Sequence, residues 1–152
     1  DIANDALERL ALLEQKRTPD GEEAVRRFAT AELLEKQEKF DEAIAGYTNL
    51  TSSIKPNAAH ANIGEQALIK AGNIELRRKR YDAAGKLFSQ LLEQFPEGTM
   101  GDFAMMNHAD ALALQGRKDD AIQMYTQALA RFPRSTLLQQ IRLKIRKLRG
   151  DA

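Results

Sequence analysis

The side chains of this 152-residue chain that could do acid–base or metal chemistry are few and far apart. His60 and His108 are its two imidazoles, and they fall in different predicted helices with no ligand spacing. Asp110 follows His108 by two positions, which puts the two on different faces of a helix. Asp119-Asp120 opens a predicted helix, where the backbone dipole favours negative charge, so it reads as a cap pair and not a carboxylate dyad. Cysteine is absent, which removes thiolate ligands, disulfides and cysteine nucleophiles and leaves the redox compartment open. The glycines form no G-x-x-x-x-G-K phosphate loop. Met100, Met105 and Met106 suit core or groove packing better than a cofactor site. The residues therefore predict no enzymatic activity, no catalytic residue, no cofactor and no metal.

Charge offers a second kind of chemistry. The net charge is +1, so no global field calls for nucleic acid or membrane. Its distribution is uneven: residues 1–66 hold 8 basic and 13 acidic side chains, residues 67–152 hold 15 and 9. The run Arg77-Arg78-Lys79-Arg80 reads as a solvated helix end, its cations suited to the C-terminal dipole. The cluster from Arg142 to Arg149 is basic but lacks aromatics for base stacking. Nucleic acid or an anionic surface is thus a minor reading. An acidic protein surface, or the acidic half of another copy, fits better, so self-association belongs among the expectations. No apolar run reaches the roughly 18 residues of a membrane span, so no transmembrane segment is predicted. The chain starts at Asp1 and not at Met, and it is read as a fragment or processed product.

The elements that would position these residues are helices throughout. Residues 2–16 place Ala3, Leu7 and Leu10 on one face, with Asn4 as a cap. Thr18-Pro19-Asp20-Gly21 breaks that helix, and Glu22-Glu23 suits the start of a second running to about Gln37. A third runs from Phe40 to about Ser53. A long fourth is expected from near Asn57 to Lys79, its Gly64 and Gly72 each costing about 1 kcal/mol against alanine and tolerable where another backbone comes close. The fifth spans Tyr81 to Phe95. Glu97-Gly98-Thr99 is a loop that could cap the next helix, and the sixth runs from about Met100 to Gln115. Gly116 ends it, and the seventh spans Lys118 to Arg131 before Pro133. Ser135 is expected to cap an eighth, with Leu138, Ile141, Ile145 and Leu148 as one stripe and Arg142, Arg146 and Arg149 opposite.

The motif Tyr81…Ala84…Phe88…Pro96, preceded by Gly72, has the spacing of the tetratricopeptide repeat, a pair of antiparallel helices of about 34 residues. The chain resembles that family. Ala31, Phe40, Ala43 and Tyr47 form a looser first copy. Gly116, Ala121, Tyr125, Ala128 and Pro133 form a third, in which Ala109 and Lys118 replace the glycine and the aromatic. The resemblance implies an all-α, TPR-like superhelical solenoid of about eight helices in antiparallel pairs with a C-terminal capping helix. As one domain, it divides into an N-terminal helix at 1–17, repeats at 21–56, 57–97 and 99–134, and the capping helix at 135–150. The long Phe40-to-Tyr81 step is assigned to the long fourth helix. The Phe-Pro endings and basic C-terminus are similar to bacterial cell-envelope TPR proteins. The chain is accordingly read as the C-terminal part of a longer array, with periplasm or cell envelope favoured over cytoplasm.

The family resemblance also implies a function: a non-catalytic scaffold that binds a peptide or helix of a partner protein on its concave face. Carried over by position, that face comprises Phe28, Glu32, Gln66, Ile69, Lys70, Asn73, Phe103, Met106, Asn107 and Asp110. It departs from the carboxylate clamp of chaperone-binding members, since only Lys70 and Asn73 keep a suitable type. An apolar groove with amide hydrogen-bonders is left. A second reading has these residues packing on upstream repeats or on the helix of residues 2–16. A regulatory or assembly module of a larger enzyme or transport complex is the alternative function.

Overall fold

A computed structural model describes residues 18–150. Within them lie seven helices: α1 (Pro19–Lys36), α2 (Phe40–Ser52), α3 (Ala61–Arg77), α4 (Tyr81–Gln94), α5 (Gly101–Leu114), α6 (Lys118–Arg131) and α7 (Leu138–Arg149). The expected helix of residues 2–16 lies outside the described residues. Each helix packs on its sequence neighbour, and α1 also touches α3, so the described chain is a helical solenoid without strands. The Thr18-Pro19 break is also a start signal. Thr18 Oγ1 accepts from the Gly21 N–H at 3.1 Å, Pro19 takes the first helical position and Asp20 and Glu22 sit in the first turn.

Three tight hairpins join α1–α2, α3–α4 and α5–α6 by one device. The first helix ends, and the next residue turns into the left-handed region: Glu38 at φ 59°, Lys79 at 60° and Gly116 at 79°. The following N–H then reaches back to a helical carbonyl, Lys39 to Leu34, Arg80 to Glu75 and Arg117 to Leu112, at 2.9–3.0 Å. This is the double backbone closure of a Schellman motif.

The expected fourth helix is shorter than predicted. Residues 57–60 form successive turns after Pro56, with Ala58 N–H bonded to Lys55 and Ala61 N–H to Ala58, and α3 starts at Ala61. At 17 residues α3 still exceeds the 14 of α5, so the long Phe40-to-Tyr81 step is shared between helix and connection. The glycines of α3 also serve differently from expectation. What stands over Gly64 and Gly72 is an aromatic ring and not a backbone. A Cβ on Gly64 would lie 2.6 Å from Phe95 Cζ, and one on Gly72 would collide with the Phe88 ring. One unit further on, Gly101 receives Phe132 in the same way at 2.7 Å. The phenylalanine of each Phe-Pro stop therefore plugs a glycine on the first helix of its own pair.

The core has two parts. The first runs from Ala24 through Tyr47, Leu68 and Phe88 to Ala104, and the second from Met105 through Tyr125 to Ile141 and Ile145. Leu92 and Phe103 pack against both. α7 buries Ile141 and Ile145 and leaves Arg142, Arg146 and Arg149 in water, as its stripe predicts.

Candidate functional site

One face of the solenoid carries a groove of about 600 Å³ built from α1, α3 and the start of α5. Its lining comprises Phe28, Glu32, Glu35, Gln66, Ile69, Lys70, Asn73, Arg77, Met100 and Phe103. Seven of the ten residues named from the sequence thus meet around one cavity. Phe28 and Ile69, 8% and 6% exposed, give an apolar floor, while Met100 and Phe103 are half-buried at one end. The Phe28 ring is held by Tyr47, with centroids 5.4 Å apart and planes tilted by 58°.

The polar rim is internally paired. Lys70 Nζ lies 3.4 Å from Glu32 Oε2, and an Arg77 guanidinium nitrogen lies 2.8 Å from Glu35 Oε1. Tyr47, fully buried, donates its hydroxyl to the other Glu35 oxygen at 2.8 Å. Burial, then the Glu35 carboxylate, pushes the Tyr47 hydroxyl far above its ordinary pKa and keeps it a donor. Glu35 thereby ties α1 to α2 and α3 at once.

The other three named residues lie past the groove's end. Met106 and Asn107 are buried, 3% and 7% exposed, with Met106 inside the second core cluster. Asp110 accepts the Tyr125 hydroxyl from α6 and lies 3.0 Å from Lys144 Nζ of α7. The Tyr125 hydroxyl is raised in turn, first by burial and then by that carboxylate. The last two helices therefore occupy the Asp110 carboxylate, while the buried Asn107 side-chain nitrogen has no hydrogen-bond partner among the described residues.

Several structural side chains escaped the sequence reading. Glu65, 2% exposed on α3, accepts from the backbone N–H of Met100 at 3.0 Å and of Thr99 at 3.3 Å. The cap residue of α5 is Met100, and a carboxylate from another pair holds the turn that leads into it, which matches negative charge to a helix start. Gly98 makes room for it, since a Cβ there would strike the Glu65 carboxylate. Asp102 does a related job one unit on. It accepts from Ser135 Oγ at 2.5 Å, and that oxygen accepts from the Leu137 N–H at 3.0 Å. Ser135 therefore orders the turn before α7, whose cap residue is Leu137. A carboxylate recurring at matched positions of two first helices is the signal that would have found both. The run Arg77-Arg78-Lys79-Arg80 is also less free than a solvated helix end. Arg78 lies 2.8 Å from Asp41 and 5.9 Å from the Phe40 ring centre, and Arg80 lies 3.7 Å from Asp41.

A second cavity, about 440 Å³, lies between α4 and α5 around His108, Ser89, Gly85 and Asp82. His108 Nδ1 is 3.3 Å from Ser89 Oγ, and a Cβ on Gly85 would lie 2.8 Å from Nε2. Burial, then Arg117, lowers the imidazole pKa, so His108 is neutral near pH 7. Ser89 sits mid-helix, where the backbone N–H groups are committed to the helix and cannot form an oxyanion hole. Asp82 in the same cavity accepts from Gln115 at 2.6 Å. Among the described residues, no group of three His, Asp or Glu side chains could hold a metal ion.

Two family models of the tetratricopeptide repeat match the chain, one over residues 28–99 and one over residues 65–134. The chain belongs to the tetratricopeptide repeat family. The matched spans run from Phe28 on α1 to the turn after α6, and so contain the groove lining and all three hairpin turns. No curated protein matches the chain. Members of this family generally mediate protein–protein interactions, so a protein partner is the expectation for this chain too. Among the described residues no helix is long and apolar enough to cross a membrane.

Proposed function

We propose that this TPR protein is a non-catalytic interaction scaffold that takes a peptide or helix of a partner protein into the groove of α1, α3 and α5. The observation that carries the reading is the groove's composition. Phe28, Ile69, Met100 and Phe103 offer apolar contact while Gln66 and Asn73 offer amide hydrogen bonds beside them. Such a surface can desolvate an apolar ligand face and still fix its orientation. The ion pairs Lys70–Glu32 and Arg77–Glu35 hold the rim's charges in place. Ordering the groove therefore costs a ligand little. The repeat units at 21–56, 57–97 and 99–134, each a hairpin, and a cell-envelope setting belong to the same proposal. Fractionation of a tagged full-length protein tests the setting.

The test of the groove is a pull-down of partners followed by titration of variants. Phe103→Asp should weaken a groove ligand by more than about 1 kcal/mol, as loss of an interface anchor does. Phe103 also packs against both core clusters, so the melting temperature should fall, and binding is compared at a temperature where circular dichroism shows the variant still helical. Arg146→Glu, on the outer face of α7, should leave groove binding unchanged. If Arg146→Glu abolishes that binding and Phe103→Asp does not, the groove reading is wrong.

A further inference from the structure

The groove uses none of the basic side chains at the far end of the solenoid. Residues 131–150 hold seven cations and no carboxylate. Lys144 is committed to Asp110. Arg131 stacks on its neighbour Phe132 at 5.4 Å, and Arg131, Arg134, Arg142, Arg146, Lys147 and Arg149 have no carboxylate partner among the described residues. A helix C-terminus favours cations in its last turn, which accounts for Arg146, Lys147 and Arg149. It does not account for Arg142 in the first half of α7, nor for Arg131 and Arg134 before it. Next to Arg142 in the sequence, Leu143 is 51% exposed, one of three large apolar side chains so exposed among the described residues.

We infer that the outer face of α7 is a second docking surface, for an acidic amphipathic helix of a partner protein. Charge complementarity and spacing carry the inference. Arg142, Arg146 and Arg149 follow one another along a helix at steps of about 6 and 4.5 Å. A partner helix with carboxylates at i, i+4 and i+7 repeats those steps and pairs charge with charge. Guanidinium is the group that binds planar carboxylates through two parallel hydrogen bonds, and five of the six cations are arginines. Leu143 supplies the apolar contact around which such a polar rim is built.

Two other anionic surfaces fit less well. A membrane takes up an amphipathic helix through its apolar stripe, and Ile141 and Ile145 are already buried in the second core. Single-stranded nucleic acid is held by stacking on aromatics, and the one aromatic of this segment, Phe132, has its ring against Gly101.

The test uses the full chain and a fluorescent synthetic helix with Glu at i, i+4 and i+7 and Leu on the same face. Anisotropy is read at roughly 50 and 300 mM salt, on either side of physiological screening. The expected result is binding that weakens with salt. It should fall at least about tenfold in Arg142→Glu/Arg146→Glu, as for paired interface charges, and at least about threefold in Leu143→Ser, as for one apolar contact. Phe103→Asp should leave it unchanged. The inference is overturned if the double charge reversal binds like the parent, or if Leu143→Ser has no effect. It is equally overturned if anionic phosphatidylglycerol vesicles or duplex DNA bind more tightly than the peptide, which would assign the face to lipid or nucleic acid.

Discussion

Glu38, Lys79 and Gly116 do one job with three residue types. All three sit in the left-handed region at the turn of a hairpin. A side chain there costs about 1–2 kcal/mol, and glycine avoids it at an entropic cost of about 0.5–1 kcal/mol in the unfolded chain. Lys79→Gly should therefore raise stability by roughly 0.5–1 kcal/mol, and Gly116→Ala should lower it by about as much. Urea unfolding of the two variants beside the parent checks the opposite signs. Only Gly116 announces its turn in the sequence, because any residue can be forced into that conformation when both flanking helices are well packed. His108 makes a second residue-scale prediction. Its folded pKa lies below the ordinary 6.5, chiefly because of burial. The neutral form is therefore the folded one, and its contribution is fully present above about pH 6.5. It is lost as pH falls from there through the folded pKa, because the unfolded state binds the proton more readily. The parent should lose more stability than His108→Gln between roughly pH 8 and pH 5. Equal losses would show that other groups carry the acid dependence.

At the scale of elements, hairpins were legible and their junctions were not. Aromatic, small and Phe-Pro positions recur at fixed spacing, so α2, α4 and α6 follow from the sequence almost to the residue. The start of α3 did not, because residues 57–60 are compatible with a helix and only the turns after Pro56 exclude them. The groove was legible where first helices repeat, from Phe28 to Phe103. It was illegible at Met106 and Asp110, since nothing local says that the second core will take up Met106 or that α6 and α7 will engage Asp110. Glu65 was hidden for the same reason: its partners are Thr99 and Met100, in another pair. Glu65→Ala should leave those N–H groups without their acceptor and destabilise the protein by about 1–3 kcal/mol. Glu65→Gln, which keeps an acceptor oxygen, should recover part of it. A thermal melt in which alanine and glutamine behave alike would remove the acceptor role.

The molecule as a whole is a linear stack, and its stability should be that of a stack. Each helix rests on its neighbours, so internal helices are covered on both sides while α7 rests chiefly on α6. Its remaining anchors are the Lys144–Asp110 pair and the burial of Ile141 and Ile145. The arrangement predicts an order of opening. Under native conditions the amides of Ile141 and Ile145 should exchange through a local opening of lower free energy than those of Leu68 and Ile74 in the middle of α3. Removing residues 135–152 should then uncover the second core cluster on the α6 side, lower the melting temperature and promote aggregation, because an unfinished stack leaves one apolar face wet. The link between the two core clusters bears on the same point. Leu92 and Phe103 touch both, so Leu92→Ala should do more than destabilise by the roughly 2–5 kcal/mol of a core truncation, tempered by its partial exposure. It should uncouple the halves, and the amides from Met105 onward should become the less protected set while α3 keeps its own protection. If hydrogen exchange instead shows every amide of α3 and α7 opening at one common free energy, before and after Leu92→Ala, the chain folds as one indivisible unit and nearest-neighbour stacking does not describe it.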